Sequence, residues 1–221
     1  VAYFQNFSNT YDTPNVLMER YSAALTDDRI KVLAIGTRPD CIDEERARLI
    51  ASFKENVDVW VELGLQTSSD DVARAINRGY DTEVFEKAVK ILNSFSIPVV
   101  VHIIAGLPTD SEDGFKKTVD YLSSFDLFGI KLHSIYIMRG TRLAELYERG
   151  EYTPPTEEEF IRLACYAIRH TNPKTVFHRL TGDAPKGMLI APAWNSNKNV
   201  ILSKIQAKLE ADDAHQGDLF S

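Results

Sequence analysis

The chain has 221 residues, 44% of them hydrophobic and 26% charged, with a formal net charge of −7. An α/β domain of that length buries roughly 70–75% of its unfolded surface, so a substantial core is available. No apolar run reaches the roughly 20 residues a bilayer span requires, no signal peptide is visible, and the acidic balance disfavours a broad nucleic-acid footprint. The two cysteines, Cys41 and Cys165, are too few and too far apart for a secreted disulfide framework and fit a reducing cytoplasm.

In chain order, Tyr3-Phe4-Gln5 reads as the end of a strand, followed by a polar loop over 6–13. Thr13 as N-cap and Pro14 at the first helical position start a helix carrying Val16, Leu17, Tyr21 and Leu25. A strand over 32–35 turns at Gly36 into a helix over 43–56 with Ala47, Ile50, Ala51 and Phe53. A third strand over 57–63 precedes a short helix over 70–76, which Asn77-Arg78-Gly79 breaks. Asp81 or Thr82 caps the next helix, which runs to Phe95. A strand over 99–104 leads through Gly106-Leu107-Pro108 into a helix ending near Phe125. A fifth strand over 130–137 and a short helix over 141–149 close this series. After Gly150 the rhythm changes: Thr156 to Glu159 fits a capping box for a helix to about His170. A strand over 176–180, a helix over 197–211 and a frayed polar tail over 212–221 complete the expectation.

Strands separated by helices imply a parallel sheet with right-handed crossovers. The spacing divides the chain into a core over 1–150 and an α-rich C-terminal extension over 151–221 packed on it. Strand alternation places Val57, Val59, Val61 and Leu63 on one face, with Asp58, Trp60, Glu62 and Gly64 on the other. His102 likewise opposes Val101 and Ile103, and Lys131 and His133 alternate with Leu132. Polar side chains near strand C-terminal ends suit the mouth of a barrel. A Glu62–Lys131 ion pair plugging the core is the other reading of the same pattern.

Several segments, in this order, resemble one family. They are Tyr3-Phe4-Gln5, Ala34 to Cys41 with Arg38-Pro39, and Glu62-Leu63-Gly64-Leu65-Gln66-Thr67. Then come Ile76 to Tyr80, His102 to Pro108, Gly129 to His133 with Arg139-Gly140-Thr141, His178-Arg179-Leu180 and Leu189 to Trp194. Together they resemble the radical S-adenosylmethionine (SAM) superfamily, in particular an uncharacterised bacterial YhcC-type branch related to the Elongator catalytic subunit and to oxygen-independent coproporphyrinogen oxidases. The resemblance implies a partial (β/α)6 TIM-like barrel whose first strand is missing from this chain. It also implies a [4Fe–4S] cluster held by a C-x-x-x-C-x-x-C loop that leaves one iron for SAM. That motif is absent here, so the resemblance implies a fragment that binds no cluster and is itself inactive.

The resemblance assigns Gln5, Arg38, Glu62, Gln66, Gly106, Leu107 and Pro108 to SAM. Gln5 lies toward its amino end, and Arg38 forks onto its carboxylate. Glu62 and Gln66 meet the ribose hydroxyls, and 104–108 runs beside the adenine. His102, Lys131 and His133 would line the cavity toward substrate, with Cys41 near the mouth and His178 and Arg179 reaching in from the extension. Other readings stand beside these. Gln66 caps a helix, Arg38 is a turn residue held by Asp40, and His102 and His133 are hydrogen-bonded core histidines. Cys41 is a small buried residue, and His178, Arg179 and Asp183 pin the extension to the core.

The implied activity of the intact protein is reductive SAM cleavage to a 5′-deoxyadenosyl radical, which abstracts hydrogen from an unknown substrate. That substrate is a small molecule or RNA, and the electron donor is a flavodoxin or ferredoxin. An unpaired sheet edge invites dimerisation. Two other functions fit the residues: a metal-dependent barrel hydrolase using Glu62, His102, His133, His178 and Asp183, or a cluster-free binding module.

Overall fold

The structure, a computed structural model, describes residues 1–182, 184 and 187–220. Its elements are β1 (Ala2–Phe4), α1 (Pro14–Ala24), β2 (Val32–Thr37), α2 (Glu44–Ser52), β3 (Asp58–Gln66), α3 (Asp70–Ala75), α4 (Thr82–Ser94) and β4 (Val99–Ala105). They continue as α5 (Glu112–Leu122), β5 (Gly129–Ser134), β6 (Ile137–Met138), α6 (Arg142–Glu148), α7 (Glu157–His170), β7 (Val176–Arg179), β8 (Leu189–Ala191) and α8 (Lys198–Ala211). Among the described residues the parallel sheet has six strands in the order β1-β2-β3-β4-β5-β7, with β1 and β7 at the ends of that order. This is the α/β, partial-barrel class that the strand and helix alternation implies.

Helix starts follow local side-chain chemistry. Asp43, Ser69, Ser111, Thr141 and Thr156 each accept a hydrogen bond from the backbone N–H of the residue three positions on. Thr156 and Glu159 form the reciprocal capping box, with Glu159 Oε2 accepting from Thr156 N at 2.7 Å. Each such cap is worth about 1 kcal/mol.

The chain divides into two compact units. The first comprises Val1–Leu65, Tyr80–His102 and Phe125–Gly129. Here α4 buries Phe85, Ala88, Val89 and Leu92, the spacing of one helical stripe, and packs on α2. Phe85 meets Phe125 edge-on at 5.6 Å. Tyr21 of α1 is fully buried between Phe4 and Phe53, at 5.2 and 5.8 Å, and its hydroxyl donates to the Asn9 carbonyl at 2.6 Å. Burying each such large side chain contributes roughly 1.5–3 kcal/mol. In register, Tyr3 aligns with Ala34 and Ala34 with Trp60, while Gly36 aligns with Glu62. Side chains so aligned share one sheet face.

The second unit comprises Gln66–Gly79, Ile103–Ser124 and Ile130–Ser221. Its centre is α7, which buries Phe160, Ile161, Leu163, Ala164, Cys165, Ala167 and Ile168 against α5 and α8.

Three expectations are corrected here. The strand over 130–137 breaks after Ser134, because the buried Ser134 hydroxyl turns to Asn195 Oδ1 (2.9 Å) and accepts from Gly182 N (2.8 Å). The short β6 beyond the break pairs antiparallel with β8, a strand the sequence did not signal. The tail is anchored rather than frayed. Gly217 N and Leu219 N donate to the carbonyls of Ile168 and Arg169 at 3.1 and 3.0 Å, supplying partners to the last turn of α7. Asp218 pairs with Arg169, and Gln216 donates to the carbonyls of Asn172 and Thr175. Among the described residues no helix is long and apolar enough to cross a membrane.

Candidate functional site

Within the first unit, polar chemistry gathers on Glu62. Strand alternation turns its side chain away from Val61 and Leu63, yet only 2% of it is exposed. Its Oε2 accepts from the Tyr3 hydroxyl at 2.7 Å and lies 2.8 Å from His102 Nε2, while Oε1 accepts from the Trp60 indole at 3.1 Å. A carboxylate only accepts, so with Glu62 ionised His102 Nε2 carries a proton. Tyr3 belongs to β1 and Glu62 to β3, so the phenol reaches across β2. The residues of β2 in register there are Ala34 and Gly36, and their lack of bulk leaves the path open. A Cβ on Gly36 would already stand 3.1 Å from the Phe4 carbonyl oxygen. Trp60 is held from its other side by Phe128, ring centroids 6.0 Å apart.

The remaining predicted residues of this unit lie around it. Gln5 is exposed immediately after β1. Arg38 grips Asp40 with two hydrogen bonds, 2.9 and 2.7 Å, and its guanidinium lies 5.0 Å above the Tyr80 ring. The turn role weighed for it is therefore present, and Asp40 holds the guanidinium in its charged form. Cys41 is half-buried, and burial pushes its thiol up from the ordinary range.

In the second unit, Gln66 ends β3 in a left-handed conformation, φ +66°. The following loop is fixed by hydroxyls: Ser68 N donates to Thr118 Oγ1 at 3.0 Å and Ser69 N to Thr67 Oγ1 at 3.1 Å. Arg78, read from sequence only as part of a helix break, is buried and donates to the Thr67 carbonyl (2.7 Å) and to Asp70 (2.9 Å). Gly106 follows β4 at φ +87°, with Leu107 buried and Pro108 half-buried. Lys131 and His133 sit half-buried on β5, alternating with buried Ile130, Leu132 and Ser134. His178 is half-buried and Arg179 exposed on β7; Asp183 lies outside the described residues.

The residues present do not fit an iron-sulfur cluster. Cys165 is buried within the second unit, and burial raises its thiol as it does that of Cys41. Among the described residues no three His, Cys, Asp or Glu side chains come together to hold a metal ion.

A parallel α/β sheet flanked by helices defines a class of domain that hosts many enzymes and binding proteins. Comparison with known proteins narrows that class. Residues 8–122 match the Radical SAM superfamily and residues 128–211 the Radical_SAM C-terminal domain. The chain is 34% identical over 220 residues to the uncharacterized protein YtqA of Bacillus subtilis, covering 100% of this chain and 68% of YtqA. It is 33% identical over 199 residues to YhcC of Escherichia coli, covering 90% and 64%. The archaeal Elp3 of Methanocaldococcus infernus with an N-terminal deletion shares the fold, with a TM-score of 0.77 at 20% identity over 94% of this chain and 53% of that one. The chain thus spans about two thirds of the length of the curated relatives named here. It belongs to the radical SAM superfamily.

Proposed function

We propose that the protein acts as a radical SAM enzyme on a substrate still to be found. SAM, where bound, would supply the chemistry of hydrogen abstraction, and this chain's own residues would hold its nucleoside part. The observation that carries this reading is the family match across both segments, joined to polar strand positions that suit a nucleoside. In the second unit, the Gln66 amide offers a donor and an acceptor to ribose hydroxyls, and the Gly106 turn offers close backbone beside a planar base. The apolar strand neighbours keep these groups in a medium where each hydrogen bond counts for more than in water.

The two cysteines do not supply three cluster thiolates, so on this reading these 221 residues alone assemble no cluster and cleave no SAM. Anaerobic reconstitution with iron and sulfide tests that directly. Sub-stoichiometric iron and no 5′-deoxyadenosine are expected; a stoichiometric cluster would overturn the reading. The net charge of −7 favours a small-molecule substrate over a long polyanion.

A further inference from the structure

The Gly106 turn is shaped by a segment far from it in sequence. The Tyr152 hydroxyl donates to the Gly106 carbonyl. A Cβ on Gly106 would lie 2.4 Å from Cγ and 2.6 Å from Cδ of Pro155, so the proline ring fills the space that the glycine leaves. Pro155 is itself held: Trp194 Nε1 donates to its carbonyl at 3.1 Å, and Trp194 stacks on buried Phe160 of α7 at 5.1 Å. Tyr152 is largely buried, which pushes its phenol well above the usual range and keeps it a donor. Beside the clamp stands a cavity of about 480 Å³ walled by Gly106, Leu107, Tyr152 and Pro155 among others.

We propose that Tyr152, Pro155 and Trp194 are positioning residues for the adenine-side turn, through which the C-terminal region sets the affinity for the base of the bound nucleoside. This rests on the radical SAM reading, in which the Gly106-Leu107-Pro108 turn borders the adenine. Free backbone at a glycine of φ +87° has many conformations open to it, and the clamp selects one. A base packing against that turn meets a wall already in place, so less ordering is lost on binding.

The test uses Tyr152→Phe, which deletes one hydrogen bond while keeping the ring, together with Trp194→Phe. Amide hydrogen exchange reads the turn, and S-adenosylhomocysteine and S-inosylhomocysteine read the base. The expected result for Tyr152→Phe is faster exchange at residues 105–109, little change in melting temperature, and a roughly three- to tenfold loss of affinity for the adenosyl probe. The inosyl probe should lose less, so base discrimination narrows. Unchanged exchange overturns the inference. So does unchanged discrimination in a variant set where Gln66→Ala still weakens binding; the SAM reading then survives alone. If the chain binds neither probe, or Gln66→Ala leaves binding untouched, the SAM reading fails and takes the inference with it.

Discussion

The two units each bury a polar cluster, and the two are built on opposite principles. In the second unit, Ser134, Thr181, Asn195 and the Gly182 backbone satisfy one another with neutral groups. Asn195 also donates to the Ile135 carbonyl at 3.3 Å, so the set pins a loop to the end of β5. In the first unit, the group at the centre is Glu62, a buried carboxylate that draws donors from β1, β3 and β4. Burying a charge costs several kcal/mol before any partner compensates it, and a neutral set would hold three strands as well. The neutral cluster holds a loop with hydroxyl and amide groups alone. The charged one centres on a carboxylate whose two oxygens are taken by Tyr3, Trp60 and His102.

Breaking the charged cluster gives the largest effect. Glu62→Ala removes the shared acceptor of Tyr3, Trp60 and His102, and urea unfolding should show a loss of roughly 3–4 kcal/mol. Asn195→Ala breaks the neutral cluster at its best-connected member and should cost about 2 kcal/mol in the same assay. Tyr3→Phe sharpens the contrast, because it removes a single donor and keeps the ring: about 1 kcal/mol is expected. The smallest effect concerns Asp110, whose carboxyl is pushed up by burial. A raised folded pKa means that stability is fully present below the ordinary carboxylate range and declines as pH rises through the raised value. Asp110→Asn should therefore flatten the decline above the ordinary carboxylate range, read as melting temperature against pH, with little change below that range.

Much of the fold was legible because its signals are local. Caps such as Ser111 and Thr156, the stripe Phe85, Ala88, Val89 and Leu92, and the alternation around Glu62 all lie within a few residues of what they determine. What escaped depends on pairs distant in the chain. Nothing near Tyr3 announces that Ala34 and Gly36 will clear its path to Glu62, and nothing near Gly106 announces Pro155. The three-residue β8 is too short to show a period, and its partner β6 has two residues. The tail looked frayed because its composition is polar, yet its backbone groups complete the end of α7. The face that Glu62 and His102 share was visible from period-two alternation, but their 2.8 Å contact was not.

The most direct test is an isotope-edited NMR titration of the chain with S-adenosylhomocysteine. The account predicts saturable shifts centred on Gln66 and the Gly106–Thr109 turn of the second unit, lost in Gln66→Ala. Saturable binding that shifts none of these residues, or no binding at all, would contradict it.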